Sequence, residues 1–214
     1  ILGVIFYLSK HNVEIKPFQA VFSGDLPKGA GMSSSAALEN AFSFGLTKLF
    51  AGSIDRISLA KVGQNAEHHF VGVKCGIMDQ FSSMLGERGH AMLLDCRSLI
   101  FEHVPIDLQD HQLLLINSNV LHNLANSEYN VRRMQCEEGV AIIKKKFPQV
   151  RSLRDVSLSM LTEAKPLMNA WVYRRCSYVL EENQRVLKFV TFLKDNDLPS
   201  AGALLNESQR GMKE

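Results

Sequence analysis

The stretch GDLPKGAGMSSSAALENA, from Gly24 to Ala41, constrains the fold more than any other part of this chain. Ahead of it, VEIKPFQAVFSGDLP alternates polar and apolar side chains as a strand with one buried face does, interrupted by Pro17 near an edge. After it, Ala36, Ala37, Ala41, Phe44, Leu49 and Phe50 fit a helix, and Ser33, Ser34 and Ser35 are residue types that cap a helix entrance. The local reading is strand, glycine turn, helix. Gly29 and Gly31 let backbone amides come close to a ligand, and the following helix directs its free N–H groups and positive dipole end to the same place. That arrangement suits an anion, phosphate above all. An ordinary strand-turn-helix connection with a serine cap fits the same residues, and no Gly-Lys-Ser/Thr follows the loop, so the Walker pattern is not met.

Further along, a second helix is predicted from Asp55 to about Phe70 and a third, shorter one over GIMDQFSSMLG. The period then changes: HAMLLDCRSL, LIFEHVPI and HQLLLINSN read as strands, and NSEYNVRRMQCEEGVAIIKKKF returns to a helical pattern. After Pro148 the chain reads as mostly helical, with a long segment from about Trp171 to Lys194, so a domain boundary is expected near 150 to 165. With 214 residues, 46% of them hydrophobic, the chain can bury a full core. Its 24 basic and 22 acidic residues leave a formal charge of +2, which gives no general attraction to nucleic acid or an anionic membrane. Cys75, Cys96, Cys136 and Cys176 form no CxxC pair and no cysteine-histidine cluster, so reduced, buried thiols of a cytosolic protein are expected. No apolar run approaches the roughly 20 residues a bilayer span requires. The opening ILGVIFYLSK lacks the basic region of a signal peptide, and a chain that starts at Ile1 inside a hydrophobic element is expected to be an internal piece of a longer protein.

Two carboxylates stand out. Glu67 lies in NAEHHF and Asp79 lies 12 residues on in CGIMDQF, with a glycine-containing break between two predicted helices that lets them converge. A phosphoryl transferase needs an oxygen ligand for magnesium and a group that orients or deprotonates the attacking hydroxyl, and a serine, a glutamate and an aspartate supply those parts. Taken singly, Glu67 reads as a solvated helix residue and Asp79 as one that caps or pairs within a short helix. His68 and His69 point in different directions from adjacent helix positions, which favours surface or packing roles. Arg132, Arg133 and Lys144 to Lys146 are interleaved with Glu137 and Glu138 and read as a solvated helix face. Trp171, Tyr173 and Tyr178 read as packing among the later helices.

The texts LPKGAGMSSSAALENA, AEHHFVGVKCGIMDQFSSMLGERGHAMLLDCRSL and NSNVLHNLANSEYNVRRMQCEEGV, in this order and spacing, resemble the galactokinases of the GHMP small-molecule kinase family. The resemblance covers essentially the whole chain and weakens after residue 150. It implies an α/β (α+β) fold with the two-domain GHMP-kinase architecture of mixed sheets packed by helices. Residues 1–150 would form most of the N-terminal nucleotide and catalytic domain, and 151–214 the start of the helical part of the C-terminal domain. The implied activity is transfer of the γ-phosphoryl group of ATP to the 1-hydroxyl of α-D-galactose, with Mg2+, by a cytoplasmic and monomeric enzyme. By resemblance, Gly29, Ala30, Gly31, Met32, Ser33, Ser34 and Ser35 form the nucleotide-phosphate loop, Ser35 and Glu67 hold magnesium, Asp79 is the catalytic base, and Gly76, Asp79 and Tyr129 meet the sugar. The family's upstream arginine, its Glu-His-x-Asp segment and its C-terminal glycine-rich motif do not occur in these residues, and Leu121, Asn123 and Asn126 depart from its usual text. A related sugar kinase with another substrate and a non-catalytic galactose and ATP sensor are the two alternatives.

Overall fold

The computed structural model describes residues 1–27, 31–116 and 128–213. In chain order these form α1 (Leu2–Lys10), α2 (Ser34–Leu49), α3 (Arg56–Ala66), a π-helical turn (Glu67–Val71), α4 (Met78–Leu85), β1 (His90–Leu94), β2 (Phe101–Pro105), α5 (Glu128–Lys146), α6 (Leu158–Ala164), α7 (Ala170–Lys194) and α8 (Leu198–Lys213). The chain divides into two compact units, and the division falls inside β2, after His103. In this division helix α5 groups with the later helices.

In the first unit α1 to α4 bury one core built from Val4, Leu8, Phe42, Leu46, Leu59, Val62 and Phe81. Helix α1 seats closely on α3 because residue 3 is glycine: a Cβ there would stand 2.8 Å from the Ala66 Cβ and 2.9 Å from the Phe70 Cδ2. Asp55 caps α3, accepting from the Ser58 amide at 2.9 Å. Strands β1 and β2 pair into a hairpin, closed by the Asp95 amide donating to the Ile100 carbonyl at 2.9 Å.

Three expectations are corrected here. The apolar stripe assigned to α2 is not its buried face: Phe44 and Leu49 are exposed, while Ala36, Phe42 and Leu46 are buried together with the polar Glu39, Asn40, Ser43 and Thr47. The alternating segment before the glycine turn is not a strand, and neither is residues 111–116; Val21 is 98% exposed and Ile116 82%. A strand is completed by a hydrogen-bonded neighbour, and among the described residues only β1 and β2 have one. The described residues are thus mostly helical, with a single two-stranded sheet where mixed sheets were expected.

The second unit packs α5, α6 and α7 around Ile143, Val150, Leu161, Val172, Cys176 and Leu180. Ser152 and Asp155 form a reciprocal capping box, and Ser157 and Asn169 cap α6 and α7. Tyr178 joins α7 to α8, its hydroxyl donating to the Ser208 carbonyl at 3.4 Å. Tyr173 packs at the edge of the core as expected, but Trp171 is 55% exposed and carries Arg174 and Arg175 over its ring instead. All four cysteines are free thiols; Cys176 is buried and Cys96 is exposed, so burial is not common to them.

Candidate functional site

Helix α2 starts from an unusual backbone. Gly31 has φ +73° and Ser33, at the N-cap position, has φ +53°, a left-handed conformation that costs a non-glycine residue energy. The Ser33 side chain makes no capping bond, contrary to the expected serine cap. The first amide of the helix to find an acceptor within it is that of Ala37, which donates to the Ser33 carbonyl at 3.0 Å. The amides ahead of Ala37 therefore have the free donor character of a helix N-terminus. Met32 and Ser35 are exposed and Ser34 is half-buried. Gly29 and Ala30 lie outside the described residues, as do Leu121, Asn123 and Asn126.

Glu67 opens the π-helical turn at the end of α3 and is only 5% exposed. The turn ends at Gly72, whose φ of +83° reverses the chain. Two side chains then hold the returning loop through one atom, the carbonyl oxygen of Cys75, which accepts from His68 Nε2 at 2.7 Å and from Gln64 Nε2 at 3.3 Å. His68 is thus a structural latch, and His69 bonds through Nδ1 to the Tyr7 hydroxyl at 2.8 Å. One residue past the latch, Gly76 is exposed, and a Cβ added there would meet nothing within 4 Å, so the space beside the loop is open. Asp79 follows in the first turn of α4 and is half-buried. Burial pushes the Cys75 thiol up to about 11, and the charges of Glu67, Glu39 and Asp79 add to it, so these carboxylates act on a common neighbourhood.

Beneath Glu67 lies a group that sequence reasoning missed. Glu39 and Asn40 of α2 and Gln80 of α4 are 7%, 3% and 2% exposed. Asn40 Nδ2 donates to the Gln80 main-chain carbonyl at 2.7 Å. The Glu39 carboxyl lies beside the Gln80 side chain, both against Gly63, and feels the charge of Glu67. Burial first, and the Glu67 charge second, push Glu39 up to about 8, although the Gln80 hydrogen bond opposes the shift. Gly63 of α3 makes room for the group: a Cβ there would be 3.1 Å from Gln80 Cγ, 3.3 Å from Glu39 Oε2 and 3.4 Å from Asn40 Oδ1. The signal available in the sequence was the spacing of Ala36, Glu39, Asn40, Ser43 and Thr47, which share the buried side of α2.

Tyr129 stands at the start of α5, 45% exposed, in the second unit. Arg133 pairs with Glu137 at 3.0 Å on an exposed helix face, as expected for those charges, and Lys146 pairs with Glu163. Among the described residues no three His, Cys, Asp or Glu side chains gather into a metal-holding group, and no helix is long and apolar enough to cross a membrane.

Comparison with known proteins gives a consistent result. Residues 1–87 match the GHMP kinases N terminal domain. The chain is 40% identical over 214 residues to the galactokinase of Thermotoga neapolitana, covering 100% of this chain and 59% of that protein. It is 39% identical over 213 residues to the galactokinase of Thermosipho africanus, covering 58% of it. The crystal structure of Lactococcus lactis galactokinase complexed with galactose superposes with a TM-score of 0.90 at 29% identity, over 99% of this chain and 55% of that one. The chain thus spans little more than half the length of the relatives it matches.

Proposed function

We propose, from the premise that this chain carries a GHMP kinase N-terminal domain and is homologous to galactokinases along its whole length, that the complete protein transfers the γ-phosphoryl group of ATP to the 1-hydroxyl of α-D-galactose. The observation that carries the reading is the entrance of α2, where left-handed Gly31 and Ser33 lead into a helix whose first amides Ser33 does not cap. Gly29 to Ser35 would hold the phosphates there, since free amides at a helix start favour an anion. Gly76 and Tyr129 would meet the sugar. Asp79 would accept the proton of the sugar hydroxyl, or fix its direction, as the oxygen attacks phosphorus.

The residues also fit a magnesium ion. Ser35 and Glu67 form an all-oxygen donor pair, and magnesium usually takes only one or two ligands from protein. Glu67 is 5% exposed, and a cation bound to it would offset the cost of keeping its carboxylate out of water. When bound, the ion supplies charge stabilisation to the transferring phosphoryl group. This chain's own residues bind the nucleotide, shield the buried Glu67 from water and handle the proton at the sugar oxygen. We place the enzyme in the cytoplasm as a monomer, with residues 1–150 in the nucleotide domain.

The test is a substrate panel on the complete protein with ATP and magnesium. Galactose 1-phosphate formed in preference to the phosphates of other hexoses supports the proposal. A different preferred sugar assigns a related kinase, and binding of galactose and ATP without turnover assigns a sensor.

A further inference from the structure

We propose that Asn40 and Gln80, with Glu39 packed beside them, form a buried brace that positions Asp79 against the phosphate-loop helix α2, an inference that rests on the function proposed above. Each of these three positions is more than nine-tenths buried. They meet around Gly63 of α3, which has no side chain to exclude them. Asn40 ties α2 to the main chain of α4 through its 2.7 Å bond to the Gln80 carbonyl, one residue from Asp79. That carbonyl lies inside α4, where the helix ladder already offers it an N–H, so the Asn40 bond is an addition that fixes where α4 sits rather than what makes it helical. Glu39 lies beside the tie, its Oε2 and the Gln80 Cγ both within 3.4 Å of where a Gly63 Cβ would stand. One buried connection therefore joins the helix that begins at the proposed phosphate loop to the residue beside the expected base.

Stability alone does not account for this choice of residues. Glu39 Oε2, Asn40 Oδ1 and Gln80 Oε1 are all buried without a hydrogen-bond partner. Oxygens left so in a low-dielectric interior are costly, and apolar side chains of similar volume in the same place are often neutral or stabilising. What the polar pair provides is direction: a hydrogen bond between α2 and α4 fixes their relative register where apolar packing would leave slack. None of the three is a catalytic residue; they act through Asp79.

The experiment uses the complete protein with two variants. Asn40→Leu combined with Gln80→Met replaces the brace by apolar volume, and Asn40→Asp keeps the shape while removing the donor. Each is measured for Tm, for kcat and KM in sugar phosphorylation, and for amide hydrogen exchange at residues 79–83. The expected result for the double variant is an unchanged or raised Tm, with kcat lower by about 10- to 100-fold because reacting groups are displaced. The KM for ATP is expected to stay within about threefold of the parent. Exchange at residues 79–83 should quicken in both variants. A folded variant with kcat within about twofold of the parent overturns the brace, as does a loss that only tracks the fraction folded. If the double variant does not fold, Asn40→Asp decides by the same readings. A parent protein that phosphorylates no sugar defeats the functional reading instead; exchange at residues 79–83 then decides the brace alone, and unchanged protection in the variants overturns it.

Discussion

Replacing Glu39 by glutamine should make the stability of this protein respond differently to pH. In the native structure Glu39 is held up at about 8 against an ordinary 4.5, chiefly by burial and then by the Glu67 charge. Its folded value is the higher one, so the native state binds a proton that the unfolded chain releases. The contribution to stability is fully present below 4.5 and is lost as pH rises towards about 8. Each pH unit across that interval is worth about 1.4 kcal/mol, which bounds the loss at about 5 kcal/mol. Relaxation of the opened site and water reaching it reduce it, and about 2 kcal/mol is the expected change. The substituted amide has no proton to lose, so Glu39→Gln and the parent should melt together near pH 4.5 and diverge above it. By pH 8 the variant should melt about 4 to 8 °C higher, at about 2 to 4 °C per kcal/mol for a chain of this size or somewhat larger. Thermal unfolding of both proteins between pH 4.5 and 9, in the absence of divalent metal, is the assay. A difference in Tm that stays flat over that range refutes the reasoning, because it removes the buried, proton-binding carboxyl on which it depends.

Two other substitutions follow from the same geometry. Gly3→Ala gains about 1 kcal/mol of helix propensity. It also forces a Cβ to within 2.8 Å of the Ala66 Cβ, an overpacking that costs about 1 to 3 kcal/mol, so the net expectation is a modestly lower Tm, checked by calorimetry. Glu67→Gln should raise the magnesium concentration needed for half-maximal turnover while leaving the fold intact, and a magnesium titration of the reaction rate that superposes on the parent's would contradict its role.

Much of the helical framework is legible in the sequence. The helices begun at Ser34, Arg56 and Met78 and the long α7 stand close to where apolar period and cap residues placed them, as do β1 and β2. The segments 13–27 and 111–116 misled because alternation reports a surface suited to pairing, whereas a strand also needs a partner, which is information held elsewhere in a chain. The π-helical turn at Glu67 was invisible for a related reason: its five residues continue the helical pattern, and only the reversal at Gly72 marks where the ladder changes. Asp79, Glu67 and the glycine-serine stretch proposed to hold phosphate were legible as residue types in a known order. Glu39, Asn40 and Gln80 were not, since polar residues in a helix read as solvated until tertiary packing shows which side of the helix is buried.

The central claim, that this chain carries the phosphoryl-transfer machinery of a galactose kinase, meets its most direct test at Asp79. The measurement is single-turnover phosphoryl transfer from ATP to galactose by the complete protein and its Asp79→Asn variant, paired with Tm on the same samples. Asparagine keeps the shape and most hydrogen bonding while removing the charge and the ability to accept a proton. The account predicts a folded variant with the transfer step slowed by about 10²- to 10⁴-fold, and nucleotide binding little changed. A well-folded variant that transfers phosphate within a few-fold of its parent would contradict it.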